Sequence, residues 1–234
     1  MTHLKGETQA RYVQGMFARI ASRYDLMNRL MAAGQDARWR REVIRRAGLR
    51  PGDRLLDLGA GTGDLAREAL RQCPACRPVA ADFTVEMMRV GQNRPGSLIA
   101  LWCAADALRL PYPDETFDAV VSGFLLRNVA DVPRALREQY RVLKSGGRCI
   151  ALDTTRPRRD WLSPFLRFHL HTVIPALGRL VAGDRDAYAY LPDSTEQFLS
   201  AEELAARMRL AGFHDAGFAR RMLGTIAIHW GLKE

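Results

Sequence analysis

Lysine is almost missing from this chain, occurring only at Lys5, Lys144 and Lys233, and asparagine occurs only at Asn28, Asn93 and Asn128, while arginine and alanine abound. A GC-rich coding sequence produces such a bias, so the net charge of +9 is first a matter of composition, read as a solvated basic surface. Nucleic acid and an anionic membrane are the partners that charge alone would suggest. Long apolar runs are missing too. The best candidate for a membrane span, Trp161 to Val181, is interrupted by Pro164, Arg167, Pro175 and Arg179, and nothing resembles a signal peptide. The expectation is a soluble, cytoplasmic protein. Four cysteines without a secretion signal make no disulfide framework. Cys73-Pro74-Ala75-Cys76 has redox or zinc spacing but lacks a second pair or a nearby histidine, so no metal is expected, and Cys103 and Cys149 fall in apolar strand patterns as small core residues. Repeats and low-complexity linkers are also wanting, and 234 residues suit a single domain, 1–234.

The richest stretch runs from Leu55 to Asp64, where an apolar segment fit for a buried strand meets Gly59, Gly61 and Gly63 and then a helical pattern. Glycines that tolerate positive φ let backbone N–H groups and a helix N-terminus approach a ligand closely. A dinucleotide site would read G-x-G-x-x-G to cradle a pyrophosphate. Here the spacing is G-x-G-x-G with acids at both ends, Asp57 and Asp64, which suit a cationic ligand better. Asp82, 21 residues beyond Gly61, closes a second apolar run at the place where an open α/β sheet puts the carboxylate that grips a ribose diol. Asp106 follows a third apolar run, Leu98 to Cys103. A positively charged nucleoside, S-adenosylmethionine, explains these features together.

Before the first strand, Val13, Phe17, Ile20, Tyr24, Met27 and Met31 recur at steps of four and three, one stripe on one helix. A second helix, Asp36 to Ala47, is stopped by Gly48 and Pro51. Residues 1–48 therefore cap the sheet or its cleft. Strand and helix patterns then alternate: strand Arg54 to Leu58, helix Asp64 to Gln72, strand Pro78 to Asp82, helix Val85 to Gln92, strand Ser97 to Cys103. This rhythm predicts a parallel sheet with helices on both faces. Phe117 to Ser122 reads as a fourth strand. Asp131 reads as an N-cap with Pro133 in the first turn of a helix ending at Gly146-Gly147, and Arg148 to Asp153 as a fifth strand. Residues 156–198 break the rhythm and read as a helical lid over the site. Ser200 caps a last helix, and Gly217 to Arg220 with Gly224 to Trp230 form a closing hairpin.

The order of elements and the glycine turn resemble a class I S-adenosylmethionine-dependent methyltransferase. That resemblance implies a Rossmann-like, mostly parallel seven-stranded sheet with a C-terminal antiparallel strand. It places Asp57, Gly59 and Thr62 at the methionine part, Asp82 at the ribose, Asp106 and Ala107 at the adenine, and Ser122 near the sulfonium. Three further stretches narrow it: Tyr24-Asp25-Leu26-Met27-Asn28 with Trp39, Leu126-Arg127-Asn128-Val129, and Arg141 to Gly147. With Tyr190 to Ser194, Phe198, and Gly224 to Gly231 including His229, these resemble the ubiquinone/menaquinone biosynthesis C-methyltransferase family. The chain departs from the usual family pattern at Ala32, Asp36, Leu125 and Asp153, where the family has serine, histidine, glycine and glutamate.

Such an enzyme has to make a quinol ring electron-rich and hold it in line with a methyl donor. Arg127 beside Asn128 could stabilise a developing phenolate, since a nearby cation lowers a phenol pKa. Tyr24 and Asp25 would close the site and orient the ring, and Asp153 is a candidate proton acceptor. Trp161, Phe165, Phe168 and Leu170 could line a route for a prenyl tail. His169, His171 and His229 read first as packing or surface histidines. The expected partner is a lipophilic quinol, with peripheral membrane contact and a homodimer as possibilities. Other readings are a different small aromatic or polyketide-like substrate and a non-catalytic cofactor-binding subunit. Nucleic acid is not expected, for there is no Asn-Pro-Pro-aromatic run to hold a flipped base.

Overall fold

The computed structural model describes residues 7–21, 23–94, 101–156 and 194–234. Three helices, α1 (Glu7–Ile20), α2 (Tyr24–Met31) and α3 (Asp36–Ala47), precede a seven-stranded sheet. Its elements follow as β1 (Arg54–Leu58), α4 (Asp64–Gln72), β2 (Arg77–Asp82), α5 (Val85–Gln92), β3 (Leu101–Ala104), β4 (Phe117–Gly123), α6 (Val132–Val142), β5 (Leu143–Thr154), α7 (Ala201–Leu210), β6 (His214–Arg221) and β7 (Ile226–Leu232). The spatial order is β3-β2-β1-β4-β5-β7-β6, parallel except that β7 runs antiparallel to both β5 and β6. The chain steps outward from β1 through β2 to β3, then crosses back to put β4 on the other side of β1. Beyond the carboxyl ends of β1 and β4 lies the crevice where sheets of this kind bind ligands.

Alternation along each strand sends side chains to two cores. Leu55, Ala119, Val121, Ile150 and Leu152 pack with Trp39, Val43 and Ile44 of α3 and Leu65 and Ala69 of α4. Leu56, Leu58, Val120 and Cys149 face Leu136 of α6 and Leu204 and Met208 of α7. In α3 the buried Trp39, Val43, Ile44 and Ala47 make one stripe. Burying its three large side chains contributes on the order of 5–9 kcal/mol, which anchors the helix against the sheet. The predicted caps are present: Asp131 accepts from the Arg134 amide at 2.9 Å, and Ser200 and Glu203 form a reciprocal capping box.

Two expectations are corrected. The apolar stripe from Val13 to Met31 belongs to two helices, not one, since α1 ends at Ile20 in a turn closed by Arg23 N–H to Ile20 O at 2.9 Å. On a continuous helix residues 17 and 24 would stand about 10.5 Å apart along the axis. Instead the Phe17 and Tyr24 rings meet edge-on with centroids 5.6 Å apart. β5 begins at Leu143 rather than Arg148, because the chain leaving α6 already lies against the start of β4, with Phe117 in register with Leu143. β3 is described over Leu101–Ala104, and the start predicted for it at Ser97 falls in residues 95–100; these, most of the 156–198 segment, and with them His169, His171 and the tail-lining candidates, lie outside the described residues.

Candidate active site

The turn after β1 carries its three glycines at positive φ, 68° at Gly59, 56° at Gly61 and 82° at Gly63. At Gly59 a Cβ would stand 2.8 Å from Leu125 Cδ1, and at Gly61 3.3 Å from Met87 Cε, so both conformation and space call for glycine. Asp82, at the end of β2, ties the turn down: Oδ2 accepts from the Gly61 amide and Oδ1 from the Thr84 amide, each at 2.7 Å. Burial raises its pKa against those two amides.

Two cavities meet over this turn. The larger, about 600 Å³, is walled by Gly59, Gly61, Asp82, Phe83, Asp106 and Ala107 on the sheet side and by Phe17, Tyr24, Leu125 and Asn128 opposite. Asp106 sits at its rim and accepts from the Leu108 amide at 2.8 Å. The smaller, about 40 Å³, is walled by Tyr24, Arg40, Asp57, Thr62 and Asp64. Tyr24, Gly59, Gly61, Gly123 and Phe124 border both. Tyr24 thus stands at the junction, and burial raises its phenol pKa, so it stays protonated at neutral pH and can donate.

Asp57 is 1 % exposed; Oδ2 accepts from the Ala66 amide at 2.9 Å, while buried Oδ1 has no hydrogen-bond partner among the described residues. Burial pushes its carboxyl up to about 7, helped by Asp64 and Asp82 and opposed by the Ala66 amide and Arg40. Thr62 Oγ1 donates to Asp25 Oδ1 at 2.9 Å, and Asp25 also pairs with Arg94. Asp25 therefore fastens α2 to the glycine turn.

The remaining expected site residues are placed differently from one another. Asn128 lines the larger cavity and its Nδ2 donates to Phe124 O at 2.9 Å. Arg127 and Asp153, 5 % and 1 % exposed at their side chains, wall neither cavity. They form a layer behind it, with Nη1 to Oδ1 at 3.6 Å, the Arg127 amide to Oδ2 at 3.3 Å and the guanidinium 5.1 Å from the Phe124 ring. Burial raises the Asp153 pKa against Arg127. Ser122 is buried between Leu58 and Ala151 in the sheet, and the wall is made by its neighbour Gly123. Sequence reasoning missed Arg40, one arginine among many on α3. It also missed Phe124, a bulky residue at φ 59° that nothing in its neighbours announces. Among the described residues no cluster of three metal-ligating side chains exists, and the Cys76 thiol is pushed up to about 11 by burial, away from reactivity.

A switch-point crevice over a glycine turn, with acids at the ends of β1 and β2, is that of an α/β protein of the class I methyltransferase type. Solved structures agree on the fold. The [4+2]-cyclase SpnF matches with a TM-score of 0.70 at 20 % identity, covering 96 % of each chain, and a possible histamine N-methyltransferase from Thermotoga maritima with 0.65 at 20 % identity, covering 94 % of this chain and 99 % of that one. The chain belongs to the ubiE/COQ5 methyltransferase family, whose model matches residues 2–233. Among its relatives, the ubiquinone/menaquinone biosynthesis C-methyltransferase UbiE of Desulfotalea psychrophila is 48 % identical over 94 % of this chain and 90 % of its own length. The demethylmenaquinone methyltransferase of Roseiflexus castenholzii is 42 % identical over 97 % and 96 %. The cofactor is S-adenosylmethionine, and the residues present fit it. The partnerless Asp57 Oδ1 answers an ammonium, and the bare glycine turn leaves room that a Cβ would fill.

Proposed function

We propose that this chain methylates a ring carbon of a prenylated quinol, converting demethylmenaquinol to menaquinol or the equivalent ubiquinol precursor. The observation that carries the proposal is the meeting of the two cavities at Tyr24, Gly59, Gly61, Gly123 and Phe124. That junction has a small pocket bordered by Asp57, Asp64 and Arg40 on one side and a roomy, largely apolar space on the other. Similarity to relatives named for this reaction, over nearly the full length of both chains, supports it. S-adenosylmethionine supplies an electrophilic methyl group.

In this proposal the Tyr24 hydroxyl and the Asn128 amide orient the ring oxygens at the junction. Arg127 acts from behind the wall: its buried Nε has no hydrogen-bond partner among the described residues, and its charge favours the phenolate form of the ring. Asp153 holds Arg127 and the Leu126–Asn128 turn in place. Asp57, Gly59, Gly61 and Thr62 take the methionine end of the donor, Asp82 the ribose, and Asp106 and Ala107 the base; the buried Ser122 supports the wall beneath the sulfonium.

The test is transfer of labelled methyl from S-adenosylmethionine to reduced demethylmenaquinone. Label on a ring carbon is expected. Label only on oxygen, or none beside an active control enzyme, refutes the proposal. A second reading, another small aromatic or polyketide-like substrate, is favoured by Leu125, whose side chain lies over Gly59 and narrows the larger cavity; product masses from a substrate panel separate the two. No helix among the described residues is long and apolar enough to cross a membrane. We propose that the basic surface meets anionic lipid transiently to collect its substrate, which flotation with anionic and neutral vesicles tests, and that the chain pairs as a homodimer, which light scattering tests.

A further inference from the structure

We infer that Arg40, aimed by Asp36, receives the carboxylate of the donor's methionine end in the smaller cavity. This rests on S-adenosylmethionine being the donor and deepens the account of its site. The cavity's about 40 Å³ holds about three water-sized groups, the scale of an ammonium beside a carboxylate. Asp57 Oδ1, buried and without a donor among the described residues, faces the ammonium. An amino acid carries its carboxylate one carbon away from that ammonium, so the same small space must also answer a negative charge. Arg40 is the cation in its wall.

The surrounding charges support this division. Arg40, Arg67 and Arg94 are set against Asp25, Asp36 and Asp64 in a connected cluster: Arg40 with Asp36, Arg40 with Asp64 at 3.1 Å, Arg67 with Asp64, and Arg94 with Asp25 and, at 3.5 Å, with Asp64. Three charges balance three, and Asp57 is the acid left over. A zwitterion satisfies Asp57 without unbalancing the rest.

Arg40 is also held in a receptive geometry. It is carried by the anchored α3, with Nη1 bound to Asp36 one helical turn earlier and Nη2 bound to Asp64. Each terminal nitrogen keeps a second N–H, and a planar fork fixed at both ends meets a carboxylate with little loss of rotamer freedom. Asp36 is 5 % exposed and its Oδ1 has no hydrogen-bond partner among the described residues. A half-satisfied buried carboxylate is costly. Its effect here is to aim the guanidinium, which makes it a positioning residue.

The experiment is calorimetry of three ligands: S-adenosylhomocysteine, its decarboxylated analogue, which keeps the ammonium, and 5′-methylthioadenosine, which lacks the whole tail. Unaltered protein should favour S-adenosylhomocysteine over the decarboxylated analogue by roughly 10- to 100-fold, as for a charge-assisted hydrogen-bonded pair. Arg40→Gln should abolish that preference while binding the two truncated ligands within about twofold of the unaltered chain. Asp36→Asn should shrink the preference without erasing it. Should Arg40→Gln fold poorly with Asp36 left unpaired, the double variant Asp36→Asn/Arg40→Gln removes both charges and must show the same loss of preference. Equal weakening of all three ligands, or an undiminished preference in the Arg40 variants, overturns the inference. Failure of the unaltered chain to bind any of the three overturns the donor assignment, and the inference with it.

Discussion

The proposed pairing of Asp57 with the donor's ammonium makes donor binding dependent on pH. With its carboxyl pushed up to about 7 by burial, it is about one-tenth ionised at pH 6 and about nine-tenths at pH 8. Only the ionised form pairs with an ammonium. The affinity of S-adenosylhomocysteine should therefore rise about tenfold between these pH values, or about 1.4 kcal/mol, with about half a proton released on binding at pH 7. Calorimetry in buffers of different protonation enthalpy measures both. 5′-Methylthioadenosine, without the ammonium, should show no such rise. Asp57→Asn should bind S-adenosylhomocysteine more weakly and with a flat profile. A flat profile in the unaltered protein, or an equal slope in the variant, refutes the reasoning.

The same shift affects folding. The folded pKa lies above the ordinary carboxylate value, so the native state holds the extra proton between the two. The resulting stabilisation, on the order of 4 kcal/mol, is present in full below about pH 4 and is lost as pH rises through about 7. On the proposed pairing, the ammonium of S-adenosylhomocysteine offsets that loss. Its shift of Tm should therefore be larger at pH 8 than at pH 6.

Three more outcomes follow from single contacts. Gly59→Ala puts a Cβ 2.8 Å from Leu125 Cδ1 at a φ of 68° and should cost at least tenfold in S-adenosylhomocysteine affinity; adding Leu125→Gly should recover the steric part only, and a double variant no better than the single refutes that account. Asp82→Asn removes the charge proposed to face the ribose and should weaken S-adenosylhomocysteine and 5′-methylthioadenosine alike, by roughly 10- to 100-fold; sparing of the tail-less ligand would place Asp82 elsewhere. Asp131→Ala removes the acceptor for the Arg134 amide at 2.9 Å and should lower stability by about 1 kcal/mol in urea with an unchanged m-value; no shift of the midpoint would deny the cap its role.

The sheet and its crevice were legible because apolar runs, glycines and acids fall at fixed offsets, and α3 and α5 run as predicted. The break between α1 and α2 was not, since residues 20–24 contain neither glycine nor proline to announce it; it shows in the packing of Tyr24 on Phe17. Tyr24, Asp57, Asp82, Asp106 and Asn128, chosen by residue type and position, line the two cavities. Arg127 and Asp153, chosen the same way, pair with each other and wall neither cavity, because sequence gives the end of a strand but not the depth of a side chain. Arg40 was hidden for the opposite reason. On a helix that also carries Arg38, Arg41, Arg45 and Arg46, nothing but contact with Asp36 and Asp64 distinguishes it.

The N-terminal helices are part of the site wall, and this has a measurable dynamic consequence. α2 is eight residues long, lacks a side-chain N-cap, buries Met27, and leaves Leu26 and Leu30 53 % and 42 % exposed. A helix so short is not stable alone. It stays folded through Met27, the Phe17–Tyr24 contact and the Asp25 bond to Thr62. The last of these ends on the glycine turn, the proposed seat of the donor, and Tyr24 borders both cavities. Opening of α2 should therefore require release of the ligand. At 100 times its Kd, S-adenosylhomocysteine then stabilises α2 against opening by about 2.7 kcal/mol, slowing amide exchange there about 100-fold. Amides of α7, packed against β6 and β7 on the far side, should change less. Exchange in α2 that ignores saturating ligand would mean that the helix opens independently of the cavity and that Tyr24 and Asp25 do not close the site.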